Sequence, residues 1–465
     1  MHKKTLKDVI ASESSSIKEV MRLIDHSGLR VAYIVDAQGR LVGAVSDSEI
    51  RKAILKGKDV KEPVKGIMNP NPIILREKDL SNYFIVKKEI RRLLSRMGDS
   101  RYLLVLDKQD RPKKLSLFSD LLGQEKTYKE NHGVKIIRGK RVLVVGGAGY
   151  LGSVLVRKLL ARGFKVRVLD MLMFGIGSIK ELFNNNNFEL IEGDMRDIST
   201  LTRALIDTDA VINLAAIVGD PACKNAPEAA IETNYLANKI LAEACKYHQI
   251  NRFVFASSCS IYGVMEGDRK LDEESPLNPV SLYARSKIQS EEGILSLMDE
   301  NFSPTILRMG TLYGYSPRMR FDLVVNTMTK TAIVEGKILV HGGGKQWRPL
   351  LHVEDAADAY IRCLEAPISR VRGEIFNVGS DKQNYQILQI AKIVNKCIPK
   401  AKIVIEGETT DPRNYFVSFS KIQKVLKFKA NHGVERGVLR IKEAIEKKEI
   451  KNVNDQRYYN VEYNQ

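Results

Sequence analysis

A chain of 465 residues exceeds one compact core, so two or three domains are expected; 44% hydrophobic and 28% charged residues describe a folded globular protein, neither disordered nor fibrous. The net charge of +18 is uneven: residues 1–140 carry 30 Lys and Arg against 18 Asp and Glu, leaving +6 for the other 325, and without interleaved aromatics or a nucleic-acid motif this excess predicts a basic surface for an anionic nucleotide and no nucleic-acid partner. No apolar run reaches the roughly 18 residues of a bilayer span, the basic start lacks an apolar stretch behind it, and five scattered cysteines without a CxxC pair argue against a disulfide frame or structural zinc; a cytoplasmic chain with no membrane partner and no metal is expected.

Two early segments look like copies of each other. Arg30-Val-Ala-Tyr-Ile-Val-Asp36-Ala-Gln-Gly39-Arg-Leu-Val-Gly43-Ala-Val-Ser46-Asp-Ser-Glu49 and Arg101-Tyr-Leu-Leu-Val-Leu-Asp107-Lys-Gln-Asp110-Arg-Pro-Lys-Lys-Leu-Ser-Leu-Phe-Ser119-Asp120 both read strand, polar turn, strand, helix. Their separation near 70 residues indicates a duplication. Between them Lys87, Lys88, Arg91 and Arg92 have the spacing of a solvated helix face. Residues 1–125 thus resemble the tandem CBS module. The resemblance implies an adenine-nucleotide contact at a Gly-x-x-[Thr/Ser]-x-x-Asp run. Here Ser46 holds the hydroxyl position, Glu49 replaces the Asp, and in the second repeat only Asp120 remains, with Lys114 and Leu117 at the other two positions. A pair that only packs and dimerises is the alternative.

Residues 126–139 read as a polar linker. From 140 to about 440 apolar strands alternate with amphipathic helices, the pattern of an α/β fold with a doubly wound parallel sheet and a small C-terminal substrate-binding lobe. Residues 441–465 read as a polar tail, and from Lys447 to Gln465 no apolar period remains, so that stretch is expected to be frayed. The first strand, Arg141-Val-Leu-Val-Val, runs into Gly146-Gly-Ala-Gly149-Tyr150-Leu151-Gly152, then a helix, then the strand Lys165-Val-Arg-Val-Leu-Asp170. Gly146 serves a tight turn, Gly149 close approach of backbone to a pyrophosphate, and Gly152 close packing of helix on strand. The amides at the helix start favour phosphate, and Asp170 suits the ribose hydroxyls of NAD while repelling a 2′-phosphate. Asp194, followed by Met195, is expected at the adenine amine, with a helix N-cap as the alternative. Leu214, Ala215 and Ala216 end the fourth strand with room for a cofactor backbone.

Tyr283-Ala-Arg-Ser-Lys287 falls in a helical stretch from Ser281 to Glu300, where i, i+4 spacing puts phenol and ammonium on one face. A neighbouring cation lowers a phenol pKa, and a phenolate can take a proton while hydride leaves the same carbon. Ser257, Ser258 and Ser260 stand at a strand end upstream, where a hydroxyl can bridge substrate and Tyr283. The run from 140 to 440 is similar to the extended short-chain dehydrogenase/reductase family of NDP-sugar epimerases and dehydratases. The resemblance implies Ser258, Tyr283 and Lys287 as the triad and Asn234 as a supporting asparagine. Arg348 and Arg413 are then the arginines of a nucleotide-sugar diphosphate; helix capping for Asn234 and surface ion pairs for the arginines are the alternatives.

Two departures narrow the reaction. Where 4,6-dehydratases of the family place Asp-Glu after the catalytic hydroxyl, this chain has Cys259 and Ser260, and decarboxylases of the UDP-xylose type keep a Glu that is also missing. Thr311 stands where epimerases commonly have an Asn. The expected activity is therefore C4 epimerisation of a nucleotide sugar through a 4-keto intermediate, with a 4-dehydrogenase, a 4-keto reductase or a catalytically silent nucleotide-sensing scaffold as alternatives. Cys223 is expected to line the substrate loop. A homodimer is expected through two helices, 229–248 and 281–300, using Leu236, Ile240, Leu241, Ile288, Ile294 and Leu297.

Overall fold

The computed structural model describes residues 5–80, 86, 89, 102–117, 139–264, 270–407 and 413–460, which fall into two compact units divided between Lys135 and Ile136. The basic group Lys87, Lys88, Arg91 and Arg92, the helix expected around Asp120 and the linker up to 138 lie outside the described residues.

In the first unit β1 (Ile10–Ser12), α1 (Ile17–Ser27), β2 (Val31–Val35), β3 (Leu41–Ser46) and α2 (Asp47–Leu55) form one copy of the repeat; β4 (Leu75–Arg76), β5 (Tyr102–Leu106) and β6 (Pro112–Leu117) form the strands of the second. Each copy has a parallel pair followed by an antiparallel hairpin. The hairpin turns share their chemistry. Asp36 Oδ1 accepts from the amides of Gln38 and Arg40 at 2.9 and 2.8 Å, and Asp107 Oδ1 accepts from Gln109 and Arg111 at 2.8 and 3.0 Å. The left-handed position is Gly39 in one turn (φ 76°) and Asp110 in the other (φ 59°), which is why Gly and Asp interchange there. Val31, Tyr33 and Ala44 of the first copy share a core with Leu104, Leu106 and Leu115 of the second.

The second unit opens with β7 (Arg141–Val145), α3 (Tyr150–Ala161), β8 (Lys165–Asp170), β9 (Phe188–Glu192), α4 (Ile198–Leu205), β10 (Ala210–Asn213), α5 (Ala237–Tyr247), β11 (Arg252–Ser258), α6 (Leu282–Leu295) and β12 (Ser303–Met309). It continues through β13 (Thr311–Tyr313), α7 (Val324–Val334), β14 (Lys337–His341), β15 (Trp347–His352), α8 (Val353–Glu365), β16 (Ile375–Val378), β17 (Asn384–Gln386), α9 (Ile387–Cys397), β18 (Lys402–Glu406) and α10 (Val434–Glu446). Seven strands form one parallel sheet in the order β16-β12-β11-β10-β7-β8-β9. Successive residues of β7 point to opposite faces. Val142 and Val144 pack under α3 and α8, while Leu143 and Val145 pack under α4, α5 and α6. Both faces are covered, so the strand is apolar throughout. The strand order reverses between β7 and β10, and in such sheets the crevice at the carboxyl ends of those strands is the binding site. The strands β13, β15 and β17, the pair β14 and β18, and helices α7 and α9 make the C-terminal lobe with its own core.

Neither a polar tail from 441 nor fraying from 447 is what the structure has up to 460. Helix α10 runs to Glu446, Ile441, Ala444 and Ile450 are buried with Met319 and Phe321, and Val453, Tyr458 and Tyr459 pack onto the same cluster. After the regular stripe of α10, Ile450, Val453, Tyr458 and Tyr459 follow no regular period among the asparagines and lysines, so a docked irregular segment looks like a solvated one in sequence. Among the described residues no helix is long and apolar enough to cross a membrane.

Candidate functional site

β7 turns into α3 through glycines that nothing larger could replace. Gly146 has φ 80°, and a Cβ there would sit 2.8 Å from the amide nitrogen of Ala215; a Cβ on Gly152 would sit 2.2 Å from the Gly146 carbonyl oxygen. The missing side chain at Gly146 lets the turn after β7 meet the segment after β10, and that at Gly152 lets α3 pack against the turn. Gly149 caps α3 with no side chain over it, so the first-turn amides, including those of Tyr150 and Leu151, open onto a cavity of about 760 Å³. The Tyr150 side chain does not line it as a ligand would: its hydroxyl donates to Gly314 O at 2.7 Å. Leu214, Ala215, Ala216 and Met195 complete that wall.

Asp170, at the end of β8, accepts from the Ala148 amide with one oxygen and from the Leu172 amide with the other, both at 2.9 Å. Burial raises its carboxyl pKa, against those two hydrogen bonds. Asp194 lines the same cavity but is gripped by Arg196, its ion-pair partner at 2.7 Å. The N-cap of α4 is Asp197, so the capping alternative for Asp194 does not hold.

At the far side β11 ends at Ser258, whose Oγ accepts from the Ser260 amide at 3.1 Å; its hydroxyl acts on the nearby Tyr283 phenol in the direction that favours the ionised form. Ser281 caps α6 by accepting from the Ala284 amide at 3.2 Å, which fixes where Tyr283 leaves the first turn. One turn on, Lys287 is 2% exposed; its Nζ donates to Ala256 O at 2.8 Å and lies 4.7 Å from the Phe255 ring centroid and 5.8 Å from that of Tyr283. Burial pulls the Lys287 pKa down to about 8. Burial pushes the Tyr283 phenol up, and Cys223 and Asp220 add to that, while Arg320 acts in the opposite direction. Helix α6 is locked to the sheet by Glu291, which accepts from Arg308 Nη2 at 2.7 Å and Nε at 3.1 Å in a buried pair.

Asn234 sits in a single π-helical turn, Glu232–Leu236, a distortion common at functional sites. Its side chain accepts from the Ile217 amide at 2.8 Å and donates to the Ile217 carbonyl at 2.9 Å, pinning the loop after β10; it is not a cap. Cys223 is fully buried with Ala222, Ala229 and Ala230 rather than lining the loop. It points inward from the short helix Asp220–Asn225, its Sγ donates to Ile217 O at 3.3 Å, and burial raises its thiol to about 11. Cys259 is buried and donates to Arg308 O at 3.3 Å, and Ser260 Oγ is buried without a partner among the described residues.

The structure brings Arg348 and Arg413 together at the same cavity. Arg348 is 6% exposed, so it is no surface ion pair, and Arg413 Nη1 lies 3.1 Å from Asp220 Oδ2. Thr311 also lines the cavity, as do Arg318, Arg320 and Asn460, which the sequence reading did not single out. The run Tyr315-Ser-Pro-Arg318-Met-Arg320-Phe-Asp322 directly after a strand end was the signal available for the two arginines. In the first unit Ser46 and Glu49 serve each other: they form the capping box of α2, Glu49 accepting from the Ser46 amide at 2.9 Å and from its hydroxyl. Asp120 lies outside the described residues.

The model of the NAD dependent epimerase/dehydratase family matches residues 142–379, and that of the CBS domain matches residues 5–56. UDP-glucose 4-epimerase 1 of Oryza sativa subsp. japonica is 30% identical over 327 residues, which is 64% of this chain and 92% of that protein. The dTDP-glucose 4,6-dehydratase of Xanthomonas campestris pv. campestris (strain B100) is 28% identical over 320 residues, 64% of this chain and 90% of its own length. Among solved structures, UDP-glucuronic acid 4-epimerase from Bacillus cereus, in complex with UDP-glucuronic acid and NAD, is 26% identical with a TM-score of 0.59, covering 65% of this chain and 99% of that one.

Proposed function

The chain belongs to the NAD dependent epimerase/dehydratase family, with a CBS domain at its N-terminus, and from that premise we propose that it is a nucleotide-sugar 4-epimerase. The observation that carries the choice within the family is at the end of β11. Ser258, Tyr283 and buried Lys287 line one cavity, yet the two side chains after Ser258 are the buried thiol of Cys259 and the hydroxyl of Ser260. Neither is a carboxyl group, so the acid and base that would eliminate water or steer decarboxylation have no counterpart there. What remains is oxidation and reduction at one carbon.

The glycine cradle, the open start of α3 and Asp170 fit a dinucleotide, with Asp194 and Met195 toward its adenine. Asp170 favours NAD over NADP because its charge opposes a 2′-phosphate. The bound cofactor supplies the hydride acceptor and donor. The proton work falls to the protein: Tyr283 takes the proton of the sugar 4-hydroxyl and gives it back after the sugar has turned, Ser258 orients that hydroxyl, and Lys287 favours the phenolate electrostatically. Arg348 and Arg413 hold the diphosphate, for which paired guanidinium donors are suited.

Incubating the full chain with UDP-, dTDP-, GDP- and CDP-hexoses and analysing products by NMR tests the reading. The expected product is the C4 epimer without net NADH. Net NADH would make the protein a 4-dehydrogenase, and no conversion of any sugar would overturn the proposal in favour of a silent scaffold. Adenine-nucleotide regulation through the first unit has weaker support, because Ser46 and Glu49 are joined in the α2 cap. We also infer a homodimer, supported by the exposed apolar residues Ile231, Leu236, Ile240 and Tyr247 on one stretch of helix.

A further inference from the structure

The segment after α10 reaches, at Asn460, the cavity that holds the glycine cradle. Ile450 is buried against Met319 and Phe321, the Phe321 amide donates to Tyr458 O at 2.9 Å, and Tyr458 meets the Phe321 ring edge-on at 5.9 Å. Tyr459 donates its hydroxyl to Val453 O at 3.0 Å and accepts from Lys330 Nζ at 3.2 Å. The next residue, Asn460, accepts through Oδ1 from Arg318 Nη2 at 2.5 Å. The Arg318 guanidinium lies 3.6 Å from the centroid of the Phe174 ring, and Asp170, Phe174, Arg318 and Asn460 all line the one cavity.

Arg318 is a buried cation whose neighbouring carboxylates, Asp322 and Asp170, do not make up for its burial. It is 4% exposed, its Nε has no partner among the described residues, and Arg320 beside it adds like charge; burial and that neighbour lower its pKa to about 9. The Asn460 amide oxygen, the Phe174 face and the more distant charges of Asp170 and Asp322 do not offset burial of the guanidinium, whereas an anionic oxygen in direct contact does.

We propose that Ile450–Asn460 is a cofactor clamp: Asn460 fixes Arg318 against Phe174 so that the guanidinium meets a phosphate oxygen of the bound dinucleotide, and the strap sets how long the cofactor stays. The inference rests on reading the cavity as a dinucleotide site, and it suits a reaction in which the cofactor ends each turnover in its starting state and has no need to leave.

The test uses the full chain with Asn460→Ala, and separately with Tyr458→Ser and Tyr459→Ser together. NAD retained after desalting and the NAD dissociation rate by stopped-flow fluorescence are measured, with near-ultraviolet circular dichroism of cofactor-free protein as the folding control. Both variants should lose NAD about tenfold faster, the effect of one charge-assisted hydrogen bond, with unchanged dichroism. Unchanged NAD release in both variants would overturn the clamp, as would altered dichroism in both, since the strap would then hold the fold and not the cofactor. If the unsubstituted protein binds no NAD, the reading of the cavity fails first and the clamp with it.

Discussion

Arg348 donates one hydrogen bond to the carbonyl of its neighbour Trp347 at 2.8 Å and another to the carbonyl of Arg413, 65 residues further on, at 2.5 Å. One guanidinium thus joins β15 to the segment that carries the second arginine. Both bonds come from Nη1, so the carbonyls fix the plane of the guanidinium and the direction of its other nitrogens, which a single lysine ammonium does not have. Arg348→Lys should therefore behave almost like Arg348→Ala, raising the KM for the nucleotide sugar by roughly 10–100-fold with a smaller change in kcat. Arg413→Lys, which keeps a cation beside Asp220, should cost less. Calorimetry with the nucleoside diphosphate alone checks both; a mild Arg348→Lys and a severe Arg413→Lys would reverse the assignment.

Ser258 and Tyr283 predict a kinetic and a spectroscopic outcome. Tyr283→Phe should bind NAD normally and turn over about two to four powers of ten more slowly. Ser258→Ala should lose less, because the phenol remains. Burial holds the Tyr283 pKa up in the protein without cofactor, and a positively charged nicotinamide works against that. Phenolate absorbance should accordingly appear at lower pH once NAD is added, and the change should vanish in Tyr283→Phe. An identical titration with and without NAD would count against Tyr283 as the base.

Lys287 sets an upper pH limit. Its pKa is lowered to about 8 because its ammonium is buried, so the charge that favours the phenolate is present below that pH and lost above it. The profile of kcat should fall as pH climbs past about 8. Arg stays protonated throughout this range, so Lys287→Arg should abolish the descending limb even though its reach to Ala256 O differs and its turnover is lower. A profile flat to pH 10 in the unsubstituted enzyme would show that Lys287 does not tune the base.

Much of the site could be seen in the sequence because its parts are local. Strand, glycine cradle, helix and Asp170 follow one another within 30 residues, and Tyr283 and Lys287 share one helical turn. What could not be seen is assembled across the chain. The Arg348 bond to Arg413 and the Asn460 bond to Arg318 join residues 65 and 142 positions apart, and no periodicity marks such pairs. A local signal can also carry two meanings. Ser46 holds the hydroxyl position of a ligand motif with Glu49 in place of its Asp, but Ser-x-x-Glu is equally a capping box, and the structure has both side chains in one. Cys223 failed differently, since loop position alone does not tell which side of a short helix faces inward.

The helix packing in the cradle gives a stability prediction. A methyl group on Gly152 would stand 2.2 Å from the Gly146 carbonyl oxygen, which is backbone and cannot swing aside. Gly152→Ala should push α3 away from β7, costing roughly 1–3 kcal/mol as overpacking does, and should weaken NAD binding because the amides of Tyr150 and Leu151 move with the helix. Gly177, with nothing near its Cβ position, is the control. Thermal melts with and without NAD should show Gly152→Ala losing both basal stability and the NAD-dependent gain, with Gly177→Ala losing neither.

The dimer can be tested through the difference between exposed and buried members of the expected stripe. Leu241 and Ile294 are fully buried in the core of their own subunit, and Ile288 and Leu297 pack partly against their own core clusters, so these four are weaker interface candidates than the sequence pattern suggests. The π turn at Glu232–Leu236 resets the helix phase, and the residues it leaves outward are Leu236 at 47% exposed and Ile240 at 37%, with Ile231 at 40% and Tyr247 at 52% on the same stretch. Burying one such side chain is worth about 1.5–3 kcal/mol, and a two-fold interface counts each substitution twice. Ile240→Glu should then yield a folded monomer by light scattering at micromolar concentration, with NAD binding kept, whereas Leu241→Glu should unfold the domain. A monomer in the unsubstituted protein, or an intact dimer in Ile240→Glu and Leu236→Glu combined, would place the contact elsewhere or remove it.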